Sequence, residues 1–264
     1  MADRAEALAA ALRRADGAGM RLVPYLMAGF PDVEGSVDLG RRYAEAGAAA
    51  IEIGIPFSDP LADGPVIQRA GTRALAGGMT VRGALDVAAR VAAFGAPVVL
   101  MTYVNPVLAY GVGRFAADAA AAGVAGVIVP DLPVEESAGV AEPLRDAGLA
   151  TVFLVAPTSG PARIAAICRA STGFVYCVSL TGVTGARSEL APGLPELLAA
   201  VRAGGDLPVA TGFGISRPAH IEALRGHTDA AVVASAFLGA IQEGRDPQPL
   251  LEELVAACRE DNVR

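Results

Sequence analysis

The run Ile-Glu-Ile-Gly-Ile-Pro-Phe-Ser-Asp-Pro-Leu-Ala-Asp-Gly-Pro, residues 51 to 65, joins a strand carrying one carboxylate to a loop carrying two more. From Ala49 to Pro56 the apolar residues alternate. Period two puts Ile51, Ile53 and Ile55 on one face and Ala50, Glu52 and Gly54 on the other. If the isoleucines pack beneath helices, Glu52 points into the interior of a sheet, where desolvation disfavours the charged form and raises the pKa. A carboxyl kept partly protonated can donate a proton. The competing reading of a lone strand glutamate is a buried acid neutralised by an arginine.

Outward from this run, seven further β-rich stretches recur: Leu22 to Ala28, Pro97 to Asn105, Gly126 to Pro133, Ala150 to Pro157, Phe174 to Leu180, Pro208 to Gly212 and Asp229 to Ala234. Between them lie Ala-rich segments long enough for crossover helices, including Val33 to Ala46, Arg114 to Ala122, Glu135 to Ala147 and Ala162 to Arg169. Eight such units close an α/β fold of the (β/α)8 barrel type, and 264 residues fit one barrel domain spanning 1–264. An open doubly wound sheet is the rival. It would carry a glycine fingerprint after its first strand, and Gly-Phe-Pro-Asp at Gly29 to Asp32 is not one. Asp3 to Arg14 reads as an extra N-terminal helix that caps the barrel floor, and Ile67 to Phe94 holds two helices.

Composition excludes several functions. A net charge of -7 and the lack of a basic stripe or aromatic platform argue against nucleic acid. No apolar stretch of membrane-spanning length escapes a Pro, Gly or charge, and Asp3, Arg4 and Glu6 interrupt the opening where a signal sequence needs an apolar core. A cytoplasmic protein is expected. Cys168, Cys177 and Cys258 are odd in number and widely spaced, which suits core residues and neither a disulfide framework nor a metal site. His220 and His227 read as solvated surface, so acid–base work near Glu52 falls to carboxylates or tyrosines.

In such barrels the C-terminal ends of strands and the loops after them build the active site. Glu52, Asp63, Tyr103, Asn105, Asp131 and Tyr176 qualify by position. Asp59 before Pro60 and Asp63 before Gly64-Pro65 also suit plain turn chemistry. Late in the chain, Thr181 to Ala186, Thr211 to Ser216 and Val233 to Ala236 are small-residue segments after strands six, seven and eight. Glycine lets backbone amides approach a ligand, and a phosphate suits these loops together with a helix N-terminus. Three at consecutive strand ends favour an anion site over simple turns.

These motifs make the chain resemble the tryptophan synthase alpha subunit family. The resemblance runs through Val-Pro-Tyr-Leu-Met-Ala-Gly-Phe-Pro-Asp near the start, the Glu52 to Gln68 signature, Val129 to Pro133, Gly182 to Gly185 and Gly212 to Ser216. It implies a (β/α)8 barrel that cleaves indole-3-glycerol phosphate into indole and glyceraldehyde 3-phosphate. By resemblance, Glu52 and Asp63 match the catalytic pair, Tyr176 the active-site tyrosine, and Gly185, Gly214 and Ser235 the phosphate positions. Phe213, Tyr103 and Ile67 belong to the surrounding pocket. Thr184, on a loop from Thr181 to Pro192, is placed to meet Asp63 when that loop closes. Burial is expected to raise Glu52, while loop amides and water keep Asp63 ionised.

Two departures stand out: Ala234 sits where the family usually has Gly, and Leu180 replaces an Arg found in some members. The alanine matters only if its position needs positive φ or very close approach to a phosphate oxygen. The resemblance also implies a beta subunit that carries pyridoxal phosphate and receives indole in an alpha2beta2 heterotetramer. This chain has no lysine at all, so a Schiff-base aldolase is excluded and no cofactor or metal is expected on it. The alternatives are a sugar-phosphate isomerase, a stand-alone lyase releasing free indole, and a non-catalytic activating subunit. The intact acid loop argues against the first, and Glu52, Asp63 and the glycine loops against the last.

Overall fold

Strand β2 (Ile51–Gly54) is buried on both faces: Ile51 and Ile53 are shielded completely, and Glu52 is 2% exposed. A parallel strand covered by helices outside and by other strands' side chains inside has this signature. It lies between β1 (Arg21–Met27) and β3 (Val98–Met101), with Tyr25 paired to Glu52 and Glu52 to Val99. Ile55, one residue past the strand, still donates its N–H to the Met101 carbonyl at 2.9 Å.

The computed structural model describes residues 4–14, 19–178, 193–212 and 214–259. The remaining strands are β4 (Val124–Ile128), β5 (Ala150–Val152), β6 (Leu154–Val155), β7 (Val175–Val178), β8 (Val209–Gly212) and β9 (Ala230–Val233). Their order is β5-β4-β3-β2-β1-β9-β8-β7-β6, and every pairing is parallel. The two outermost strands in that order are separated in sequence by Phe153 alone. The fifth of the eight expected strands is therefore split: β5 pairs back to β4, β6 pairs forward to β7, and the ring closes through Phe153. Its carbonyl accepts from the Tyr176 N–H at 3.1 Å.

Helix α1 (Arg4–Leu12) plugs the floor as expected. Leu8 and Leu12 are fully buried, and Leu8 fills space that β-carbons at Gly126 and Gly173 would invade, at 3.2 and 3.0 Å. The stretch from Ile67 to Phe94 resolves into α3 (Pro65–Ala76) and α4 (Val81–Ala92). Thr80 caps the second by accepting from the Gly83 N–H at 3.1 Å. The other α-helices among the described residues are α2 (Val33–Glu45), α5 (Val104–Tyr110), α6 (Val112–Ala121), α7 (Ala138–Asp146), α8 (Pro161–Ala170), α9 (Leu194–Ala203), α10 (Pro218–Leu224), α11 (Ser235–Gln242) and α12 (Gln248–Arg259), of which α5 and α11 bear on the site. The expected strand from Pro97 to Asn105 stops at Met101 because Tyr103 opens α5. The Asp131 carboxylate fixes that start by accepting the Val104 N–H at 2.9 Å. Asn105 consequently sits exposed in the first turn of a helix.

Two interior tyrosines depend on glycines in the next strand. A β-carbon at Gly54 would fall 1.8 Å from the Tyr25 hydroxyl, and one at Gly212 would fall 2.0 Å from that of Tyr176. Cores this tight resist added methylenes, at roughly 1–3 kcal/mol each. Gly54→Ala is expected to lower the unfolding free energy by that order, read as a lower midpoint of chemical denaturation, and Tyr25→Leu in the same chain to recover part of the loss. An unchanged midpoint for the single variant would contradict this packing.

Candidate active site

Strand β2 delivers Glu52 into the lumen. Among the described residues no arginine neutralises it. Its Oε2 atom is buried and has no hydrogen-bond partner among the described residues. Burial, reinforced by the nearby Asp63 charge, pushes the carboxyl up to about 8. At neutral pH this is an uncharged acid with one oxygen unmatched among the described residues.

Asp63 arrives on the loop between β2 and α3, which is braced by its own backbone. The Asp63 N–H donates to the Pro60 carbonyl at 3.1 Å, and the Gln68 amide donates to the Asp63 carbonyl at 2.9 Å. Tyr103 fastens the loop to the barrel. Its hydroxyl accepts the Ala62 N–H at 2.9 Å and donates to the Asp63 carboxylate, and its ring lies 5.4 Å from that of Phe57. Desolvation raises Asp63 to about 6 while the Tyr103 bond pulls it down. The expectation that loop amides keep this carboxylate ionised is therefore corrected. A tyrosine supports the anion, and burial lifts its pKa above the ordinary range. The order of the two acids still holds: between about pH 6 and 8 Glu52 keeps its proton and Asp63 has lost its own.

Tyr176 on β7 and Tyr103 at the start of α5 are both buried, and the charges of Glu52 and Asp63 raise Tyr176 beyond the effect of burial. The structure thus brings Glu52, Asp63, Tyr103 and Tyr176 close enough for their charges to act on one another. It adds Tyr25, which the sequence reading left as ordinary strand. Burial comes first among the causes that raise the Tyr25 phenol, followed by Asp63, Glu52, Tyr103 and Tyr176. The signal was available: Tyr25 stands near the C-terminal end of the first strand, where lumen residues of a barrel face the ligand.

Across the mouth, Gly214 adopts φ +85 after β8, and Ser235 begins α11 after β9. Ala234 has φ -116, so the methyl group at that position is free of backbone strain. Ile67 is half-buried in the first turn of α3. Phe213, Thr184 and Gly185 lie outside the described residues. His220 is not the solvated surface residue expected: it is half-buried, and its Nδ1 accepts the Ser216 N–H at 3.2 Å, bracing the loop that carries Gly214.

Asp131 and Asn105 do not join the acids; one caps a helix and the other faces solvent. A separate cavity of about 240 Å³ opens between the loop after β4 and α8. It is lined by Val129, Pro130, Phe153 and Arg163 among others, and neither acid reaches it. The three cysteines are free and buried, as a core role requires. Among the described residues no group of His, Cys, Asp or Glu could hold a metal ion, and no helix is long and apolar enough to cross a membrane.

Comparison with known proteins agrees with this geometry. The profile of the family described as "Tryptophan synthase alpha chain" matches residues 11–263. A tryptophan synthase alpha chain of Solibacter usitatus is 47% identical over 240 residues, covering 90% of each chain. That of Gluconacetobacter diazotrophicus is 49% identical over 229 residues, covering 86% of this chain and 84% of its own. Among solved structures, a Mycobacterium tuberculosis tryptophan synthase chain superposes with a TM-score of 0.90 at 40% identity, covering 98% of this chain and 100% of that one. A chain of the Pyrococcus furiosus tryptophan synthase a2b2 complex gives 0.84 at 40% identity, covering 91% and 98%. With the acid-bearing barrel and these matches together, the chain belongs to the tryptophan synthase alpha chain family.

Proposed function

We propose that Glu52 and Asp63 divide the acid–base work of the family's reaction, the retro-aldol cleavage of indole-3-glycerol phosphate to indole and glyceraldehyde 3-phosphate. The observation that carries this is the buried, unpartnered Oε2 of Glu52, a protonated oxygen held ready in the lumen. Glu52 protonates C3 of the indole ring, and the ring becomes an iminium-like cation. The Asp63 carboxylate stabilises that charge at N1. Glu52, now a carboxylate, takes the proton of the adjacent glycerol hydroxyl. The O–H electron pair forms the aldehyde C=O, the carbon–carbon bond breaks, and its electrons return to the ring to give neutral indole. One carboxyl serves as acid and then as base.

The phosphate is held by backbone amides at Gly185, Gly214 and Ser235, a mode that needs no lysine. Tyr176, Phe213, Tyr103 and Ile67 line the ring and chain of the substrate, and Thr184 meets Asp63 from the loop above. The reading includes a beta subunit that carries pyridoxal phosphate and accepts the indole. The apolar surface available to it includes Leu61, 92% exposed on the Asp63 loop, and Leu108, 55% exposed on α5. Large side chains this exposed beside a site mark contact surfaces. Three buried free thiols suit a reducing cytoplasm.

Three experiments on activity and association, and one on stability, test this reading. Glu52→Gln is expected to reduce indole release from indole-3-glycerol phosphate by at least about a thousandfold while the fold survives; near-normal turnover rejects the assignment. The same variant should gain stability in alkali. The buried carboxyl holds its proton up to about pH 8 whereas its ordinary value is 4.5, so the stability it contributes is full below 4.5 and is lost as pH rises through 8. Chemical denaturation should therefore find Glu52→Gln favoured relative to the native chain at pH 8.5, with the difference shrinking toward pH 5. Second, kcat/KM should be highest between about pH 6 and 8, falling in acid as Asp63 gains a proton and in alkali as Glu52 loses one; a flat profile through both limits opposes the division of roles. Third, Leu61→Asp should weaken association with a beta subunit about tenfold or more in a calorimetric titration while leaving the isolated chain folded. Unchanged affinity would remove Leu61 from the contact.

A further inference from the structure

Two polar groups in the lumen are poorly matched by the protein around them. One is the buried Glu52 Oε2, without a partner among the described residues. The other is the Tyr25 hydroxyl: the residue is 2% exposed, and the hydroxyl donates to the Met27 sulfur across 3.9 Å. A thioether is a weak acceptor, so that proton stays available to a better one. Buried groups of this kind are uncommon in native proteins and call for a reason.

Their placement supplies it. Tyr25 and Glu52 are lateral partners in adjacent parallel strands, so both side chains enter the same face of the sheet. The Tyr25 ring leans along the strand until its hydroxyl stands 1.8 Å from where a β-carbon of Gly54 would lie. Gly54 is two residues beyond Glu52, about 6.6 Å further toward the C-terminal mouth. The hydroxyl thus stands beside the strand position two residues beyond Glu52, on the side from which ligand enters. The charges that bear on the hydroxyl come from Asp63 on the acid loop, Glu52 on β2, Tyr103 at the start of α5 and Tyr176 on β7. In the company of two carboxyls the phenol keeps its proton and can only lend it.

We propose that Tyr25 is a further catalytic residue, whose hydroxyl donates a hydrogen bond to the glycerol-chain oxygen that Glu52 deprotonates. This rests on the assignment of Glu52 as the base. As Glu52 takes the hydroxyl proton, negative charge gathers on that oxygen before the C=O bond is complete. Tyr25 supports the charge and keeps its own proton, so the balance of the cleavage is unchanged. The bond is stronger in the transition state than in the bound substrate, and its loss should appear in kcat rather than KM.

Tyr25→Phe removes one oxygen and leaves the ring over Gly54. In the full-length chain it is expected to lower kcat for indole release about a hundredfold, with KM within about threefold and the limits of the pH profile in place. Met27→Leu, which removes only the resting acceptor, should keep kcat near the native value. The proposal is overturned if Tyr25→Phe leaves kcat within about threefold of native, if its loss falls on KM alone, or if Met27→Leu costs as much as Tyr25→Phe. Glu52→Gln separates the two readings. If it is inactive while Tyr25→Phe is fully active, only the role of Tyr25 falls, whereas an active Glu52→Gln removes the base on which that role depends.

Discussion

A carboxyl sealed inside an apolar ring, with no cation among the described residues to neutralise it, is the constraint around which this barrel is arranged. The desolvation that would penalise a charged Glu52 keeps it neutral, so the proton is still in place at neutral pH when an electron-rich ring lies against it. An arginine nearby would have stabilised the fold and removed the chemistry. Among the described residues this buried oxygen has no partner, the kind of local inconsistency that natural proteins keep at working sites.

The rest of the chamber follows from that choice. A second carboxylate must stay ionised within reach of the first, so it comes from a loop, where solvent and a hydroxyl can support it. Tyr103 links the two levels, because the hydroxyl that holds the loop through Ala62 also serves Asp63. Asp131 contributes from further away by fixing the first turn of α5, the helix that Tyr103 opens. Tyr25 and Tyr176 reach across neighbouring strands into space cleared by Gly54 and Gly212, so polar atoms enter an interior otherwise filled by aliphatic side chains.

Much of this is written in local pattern. Alternation in β2 places Glu52 inward, and the recurrence of β-rich runs with helical segments gives the closed ring. Long-range geometry is where local pattern ends. Asn105 looks like the end of a strand until a carboxylate from the next strand's loop caps a helix one residue earlier, a contact no short window contains. The break at Phe153 depends on two different neighbours claiming successive residues of one strand. His220 has a polar sequence context, yet its imidazole turns back to the Ser216 amide. Tyr25 escapes notice because a tyrosine in a strand is ordinary until its lateral partner is known to be an acid.

The split stave has a mechanical corollary. Where β5 hands over to β6, the Phe153 N–H meets only the Ser171 hydroxyl at 3.4 Å, a long bond, while its carbonyl serves Tyr176. A cylinder yields first at its weakest seam. With β1 at the middle of the strand order and this seam joining its two extremes, the seam sits diametrically across from the wall that carries Tyr25. The wall bearing Tyr25 and Glu52, far from that seam, is held by unbroken strand pairing on both of its sides.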